Sequence, residues 1–374
     1  MKIGIQTLPL HTNYGGILQA YALQTVLQRM GHEVCVINCP KQHKLPLHRA
    51  PFAYAKRIIK KYILRDKSVV INLEKKLREE RPIVSQYTQK FINKYLNLHN
   101  CSNYTDLKES DFDAIVVGSD QVWRPRYFRS KLIQHAYLDF AKDWNIKRIA
   151  YAPSFGTDEW EYTKTQTRTC SELLSKFNTV SVREFSAIKI CKERFGVAAQ
   201  HVLDPTMLLN KEDYIKLVEN SNAPKSKGNL LVYVLDETKD KSNIVNKIAA
   251  KKKLHPFYLN SKLDNNYACL QDKIKMPVEQ WLKGFMDAEF VVTDSFHACV
   301  FSIIFNKPFV VCGNVGRGLS RFDSLLNLFG LNERMITNKE NIDNIIEAQI
   351  DWVEVEAKYQ QHKKESMSFI NKGL

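Results

Sequence analysis

The chain has 374 residues, 44% of them hydrophobic and 25% charged, with a net charge of +15. That length exceeds one ordinary core and suits two domains of roughly 150 to 200 residues, and the composition is globular rather than disordered. No uncharged apolar stretch of about 18 residues occurs, which argues against a spanning helix. The N-terminus, MKIGIQTLPLHTNYGG, lacks the apolar core and cleavage site of a secretory signal, so a cytoplasmic protein is expected.

Residues 2 to 8 read as a short strand, followed by the loop HTNYGG, a helix from about Ile17 to Met30 ending at Gly31, and a second strand, EVCVINC. This is a βαβ opening. Asn13, Tyr14, Gly15 and Gly16 fall between the first strand and the first helix, where glycines let a backbone approach a ligand and a helix start attracts an anion. The same residues equally suit a plain tight turn. They match neither GxGxxG nor a P-loop, so no nucleotide specificity follows.

Residues 41 to 110 read as a polar, helical insertion between sheet strands. Between Lys41 and Lys67 nine Lys/Arg face one acid, Asp66, a local excess of +8. Within residues 52–65, Phe52, Ala55, Ile58, Ile59, Tyr62 and Ile63 recur at helical spacing while Lys56, Arg57, Lys60, Lys61 and Arg65 fill the other face. Such a helix either lies on an anionic membrane surface or packs on its own domain. Nucleic acid is not expected as a partner, because no recognition module accompanies the charge.

The runs DAIVVGSDQVW (113–123), RIAYAPSFG (148–156), TVSVRE (179–184) and HVLDPTMLL (201–209) return to strand, each ending in polar residues. After 113–117 an acid, an amide, an indole and a guanidinium gather: Asp120 is a candidate base or a turn cap, Gln121 a polar contact, and Trp123 a platform for a sugar ring. Ser154 closes the next run and joins the candidates. Arg183, at the end of TVSV, suits bidentate capture of carboxylate or phosphate. It suits equally a structural ion pair with Glu184 or Asp204.

A polar stretch from 211 to 228 separates a second alternation: LLVYVLD (230–236), a helix near 239–252, HPFYLNS, a helix from Val278 to Asp287, FVVTD, another helix, and PFVVCG (308–313). The expected organisation is an N-terminal domain over 1–210, a C-terminal domain over 229–340 and a helical tail over 341–374 that crosses back. Alternating strands and helices imply α/β architecture: two Rossmann-like parallel-sheet domains facing across a cleft, a GT-B-like arrangement with ligands at the carboxyl ends of the strands.

In FVVTDSFHACVFSIIFN (290–306) a β-type run stops at Thr293-Asp294-Ser295 and a helix-type run begins, which places His297 in a first helical turn. Thr293, Asp294 or Ser295 can cap that turn, and the helix dipole there favours an anion and a neutral imidazole suited to proton transfer near pH 7. An incidental histidine on a capped helix is the other reading. Arg317 and Arg321 flank the next helix start and can close an anion site. The eight cysteines show no Cys-x-x-Cys and no zinc-finger histidines, so neither disulfides nor a structural zinc are expected.

Taken in order, NYGG…LQAYAL, GSDQVW, YAPSFG, SVRE, LDPTMLL and TDSFHACVFSIIFNKPFVV resemble the polysaccharide pyruvyl transferase family over residues 2 to 330. The resemblance implies a GT-B-like enzyme, without a required metal or cofactor, that moves the pyruvyl group of phosphoenolpyruvate onto sugar hydroxyls, commonly as a cyclic ketal, in capsule or exopolysaccharide synthesis. It implies a nucleotide- or lipid-linked sugar acceptor, met on the cytoplasmic side of the membrane. It carries the family's essential histidine onto His297 and an anion-binding arginine onto Arg183. Some members have Arg-Leu-His where this chain has Ser295-Phe296-His297, which leaves Arg317 or Arg321 to take the missing arginine's place. The alternative function for such a fold is a GT-B glycosyltransferase using a nucleotide sugar.

Overall fold

A computed structural model describes residues 1–39, 50–66, 68–128, 132–263, 268–313, 318–336 and 342–374. Arg317 and the basic positions 41, 44, 49 and 67 lie outside the described residues. Seven strands form the N-terminal sheet: β1 (Lys2–Gln6), β2 (Glu33–Asn38), β3 (Leu98–Asn100), β4 (Ala114–Gly118), β5 (Lys147–Tyr151), β6 (Thr179–Val182) and β7 (Gln200–His201). Five more form the C-terminal sheet: β8 (Leu230–Tyr233), β9 (Pro256–Tyr258), β10 (Phe290–Thr293), β11 (Phe309–Cys312) and β12 (Met335–Ile336).

The spatial orders are β3-β2-β1-β4-β5-β6-β7 and β12-β11-β10-β8-β9, and the neighbouring strands pair in parallel, as Ile5 with Val116 and Val292 with Val232. Short Ile/Val runs suit strands covered on both faces, and parallel pairing needs crossover helices to supply that cover. The helices are α1 (Tyr14–Arg29), α2 (Ala50–Ile58), α3 (Leu73–Val84), α4 (Gln86–Tyr95), α5 (Lys164–Leu174), α6 (Phe185–Ile190), α7 (Lys211–Glu219), α8 (Lys239–Lys252), α9 (Leu270–Lys273), α10 (Val278–Asp287), α11 (Phe296–Ile304), α12 (Ser320–Phe329), α13 (Ile342–Glu347) and α14 (Trp352–Gly373). In each sheet the strand order reverses once, between β1 and β4 and between β8 and β10. Those two switch points are where doubly wound sheets hold ligands.

Two expectations change. HVLDPTMLL is not a strand beyond Gln200–His201: Asp204 takes the Thr206 N–H at 3.0 Å and its hydroxyl at 2.7 Å, and Pro205–Leu208 turns instead. The insertion is not helical throughout, because β3 leaves it to pair with β2 through Val36, Ile37 and Asn38.

One apolar core joins both lobes, running from Ile3 and Leu23 through Tyr214 to Trp281 and Phe301. All nine residues of α11 are buried, as an apolar sequence on every side of a helix requires. Helix α14 returns to the N-terminal lobe, where Ser366 accepts the Leu203 N–H at 3.0 Å, Tyr359 donates to the Leu209 carbonyl at 3.3 Å and Phe369 sits by Tyr151. Among the described residues no helix is long and apolar enough to cross a membrane.

The approach to α14 is pinned by Arg334, a fully buried guanidinium that donates to the carbonyls of Ile345 at 2.9 Å and Ala348 at 2.7 Å. Arg334→Met removes both donors and strands the acceptors, so it should lower unfolding free energy by about 1–3 kcal/mol. Denaturant titration reads the effect, and a change below a few tenths would show the carbonyls satisfied without it.

Candidate functional site

The carboxyl ends of β1 and β4 face those of β8 and β10 across a cavity of about 630 Å³. From the N-terminal lobe it is lined by Asn13, Tyr14, Gly15, Asp120, Gln121 and Arg124, and from the C-terminal lobe by Tyr233, Lys275, Asp294, Ser295, Phe296, His297 and Arg321. Both switch points therefore open on one space, and the first turns of α1 and α11 point into it. Neither Asn13 nor Ser295 caps its helix through its side chain. The expected caps at α11 are otherwise engaged: Thr293 takes the Ser295 N–H at 2.9 Å, and Asp294 takes the N–H groups of Leu235 and Asp236 and the Lys241 ammonium at 2.7 Å.

His297 lies over α1. A Cβ at Gly15 would stand 2.0 Å from its Nδ1, so only glycine admits the ring there. Its Nε2 is turned from solvent toward Asp204 Oδ2 at 3.6 Å, an ion-pair rather than a hydrogen-bond distance. Asp204 comes from the other lobe, is wholly buried, and also accepts Arg183 Nη1 at 2.8 Å and Ser119 Oγ at 3.1 Å. Burial alone would raise its pKa, but His297 and Arg183 together hold it well below the usual carboxylate range. An imidazole ring backed by a fixed carboxylate is the arrangement that orients a general acid or base.

Arg183 does not offer its guanidinium to the cavity, correcting the expectation of a donor clamp. Its side chain is 1% exposed, held by Asp204 and, at 3.7 Å, Asp120. Burial would lower its pKa, yet Asp204, Asp120 and Glu184 raise it. Its guanidinium carbon sits 4.4 Å from the centre of the Phe296 ring, while Arg321 sits 5.6 Å from the same ring. Arg321 does line the cavity; burial, then repulsion from Arg183, lowers its pKa to about 10.

Asp120 adopts φ = 64°, a left-handed conformation that costs most residues roughly 1 kcal/mol or more and that, after glycine, Asn and Asp adopt most readily. Its carboxylate accepts Asn13 Nδ2 at 3.0 Å and the Gln121 N–H at 2.8 Å. Gln121 in turn accepts from Arg124, whose other nitrogens reach Glu161. Trp123 is not a sugar platform: the indole is fully buried, stacks on Tyr137 at 5.1 Å and donates to the Ala136 carbonyl. Ser154 is buried too, and with the Phe155 N–H it donates to Glu184 Oε1; burial raises the pKa of that carboxyl. Gly16 stands behind the cavity, not in its lining.

Sequence reasoning missed Arg126 and Lys275, both in the lining. Lys275 is in the loop before α10, which Tyr14 holds by donating to the Met276 carbonyl at 3.0 Å. No pattern in QDKIKMP marks it.

A family model described as polysaccharide pyruvyl transferase matches residues 13–315. Two crystal structures share the chain's fold with a TM-score of 0.50, 11% identity and coverage of 100% of this chain and 99% of theirs. One is UDP-GlcNAc 2-epimerase from Neisseria meningitidis bound to UDP-GlcNAc, the other the glycotransferase of kitacinnamycin. These likenesses show a GT-B-like fold. No curated protein sequence matches the chain.

Gly15→Ala adds a methyl where the imidazole stands while improving helix propensity. Turnover should fall at least tenfold and the melting temperature should drop, because displacing a packed ring costs about 1–3 kcal/mol against a helix-propensity gain of up to about 1 kcal/mol; parental turnover would mean the ring has room to move. His201, beneath the site, stacks on Phe185 and shares a hydrogen bond with the Arg183 carbonyl. Burial pulls its pKa from 6.5 to about 4. The native imidazole thus stays neutral while the unfolded one protonates, so its contribution is intact above pH 6.5 and is lost as pH falls toward 4, by up to about 3 kcal/mol. Thermal melts across that window should fall less steeply for His201→Gln than for the parent, and equal slopes would remove His201 as the source.

Proposed function

Because this chain belongs to the polysaccharide pyruvyl transferase family, we propose that it transfers the pyruvyl group of phosphoenolpyruvate to two hydroxyls of a nucleotide- or lipid-linked sugar, forming a cyclic ketal on a precursor of capsule or exopolysaccharide. The observation that carries this reading is His297, set at one lobe's switch point, backed by Asp204 from the other lobe and bordered by two uncapped helix starts.

The chemistry asks for an acid, a base and cations. A proton added to the donor's methylene carbon makes C2 electrophilic; one sugar hydroxyl attacks it, phosphate leaves with its bridging oxygen, and the second hydroxyl closes the ketal. Donor plus diol thus give ketal plus phosphate, with one hydroxyl proton replacing that spent on carbon and the other leaving with phosphate. His297 supplies the acid through Nδ1, since Nε2 faces Asp204, and that carboxylate stabilises the imidazolium. Asp120, in the lining and oriented by Asn13, receives a hydroxyl proton. Arg321, Arg126 and Lys275, with the first-turn N–H groups of α1 and α11, bind the donor's carboxylate and phosphate. Arg183 serves behind them, neutralising Asp204 and Asp120.

The test is incubation with phosphoenolpyruvate and a panel of nucleotide- and lipid-linked galactose, mannose and glucosamine derivatives. Phosphate release with a product heavier by one pyruvyl unit is expected. His297→Ala should cut turnover by about 10² to 10⁴ with the fold intact, and Arg321→Ala should raise the donor concentration required. Parental turnover by His297→Ala, or heat protection by a UDP-sugar with none by phosphoenolpyruvate, would overturn the reading.

A further inference from the structure

Among the described residues, the exposed large hydrophobic side chains concentrate in the insertion between β2 and β4. Helix α2 continues without a break as a π-helical turn over Ile59–Ile63, and it buries none of its residues. Phe52 is 79% exposed, Ile63 72%, Tyr62 and Leu64 66% each, with Ile58 and Ile59 near half. The residues turned inward are Ala50, Ala53, Tyr54, Arg57 and Lys61. Arg57 makes that attachment, a two-pronged pair with Glu74 of α3 at 2.7 Å on each arm and a third bond to the Ile71 carbonyl at 3.0 Å.

This helix is inverted relative to an ordinary surface helix. It docks on its own domain through a cation and small or amphipathic groups, and presents its aliphatic and aromatic side chains to water, where they gain nothing from the fold. Lys56, Lys60 and Arg65 are exposed beside that apolar row, while Glu74 is taken up by Arg57 and Asp66 is tied to Ser68 at the helix exit. Apolar side chains that enter an acyl boundary, with flanking lysines long enough to stay at headgroup level, match an anionic lipid surface. The insertion also abuts the cavity rim, since the Val84 carbonyl at the end of α3 accepts the N–H of Lys275 at 2.9 Å.

We propose that residues 50–65 seat the protein on an anionic phospholipid surface, Phe52, Tyr62, Ile63 and Leu64 entering the bilayer boundary and Lys56, Lys60 and Arg65 pairing with lipid phosphates. The seat is independent of the chemistry in the cavity, and residues 50–65 do not line it. The full chain is mixed with vesicles of phosphatidylcholine alone, or of phosphatidylcholine with about one-third phosphatidylglycerol, and sedimented. Capture by the anionic vesicles should be at least tenfold stronger than by the neutral ones and should weaken with salt. Lys56→Ala with Lys60→Ala should lower it on the order of tenfold, and Phe52→Ser with Ile63→Ser should abolish it, both with unchanged circular dichroism and melting temperature. No capture by anionic vesicles, equal capture by neutral ones, or parental binding by both variants overturns the proposal. So does concentration-dependent self-association lost in Phe52→Ser without vesicle binding, which would make this face an interface between copies of the chain.

Discussion

The buried carboxylate of Asp204 is the group on which the site's geometry depends. It receives a guanidinium, two hydroxyls and a backbone N–H from its own lobe and the imidazole edge of the other. A carboxylate with no exposure must be paired and fully hydrogen-bonded, because removing a partner from a buried pair costs about 3–5 kcal/mol. Arg183 answers that need, and its own burial is offset by Asp120 and Glu184 and by the face of Phe296. The charged layer beneath the cavity is therefore locked, and the groups above it inherit their positions. His297 is held between the Asp204 charge and the bare backbone of Gly15, an arrangement in which both the direction and the depth of the ring are set by other residues.

The same logic explains why the two sheets meet where they do. Each parallel sheet places its loops at the carboxyl edge, and the reversals of strand order leave gaps at β1/β4 and β8/β10. The continuous core through Tyr214, Trp281 and Phe301 fixes those gaps face to face. Two helix starts without side-chain caps then present N–H groups to the space between, a field suited to an anionic ligand.

Much of the scaffold is visible in the amino-acid pattern, since β-branched runs and helical periodicity are local. The helices Lys239–Lys252 and Val278–Asp287 follow the expected bounds, and the α11 start puts His297 in its first turn. What is not local was not legible. Whether Arg183 faces solvent depends on β6 lying beside β7 and on LDPT folding into a turn that aims Asp204 back at it. Trp123 reads as a ligand platform until Tyr137 and the Ala136 carbonyl, thirteen or more residues away along the chain, are brought against it. Lys275 reaches the cavity only because Tyr14 and Val84 anchor its loop.

The return of α14 to the first lobe means that the polypeptide passes between the lobes twice, once after α7 and again after α13. A single tether would let two bodies swing and translate freely. A pair of tethers, added to the core that the lobes share, resists separation and sideways sliding. Any widening or narrowing of the gap between His297 and Asp204 then strains both crossings together with the apolar core that the lobes share, so the separation of ring and carboxylate is held by covalent and packed links at once.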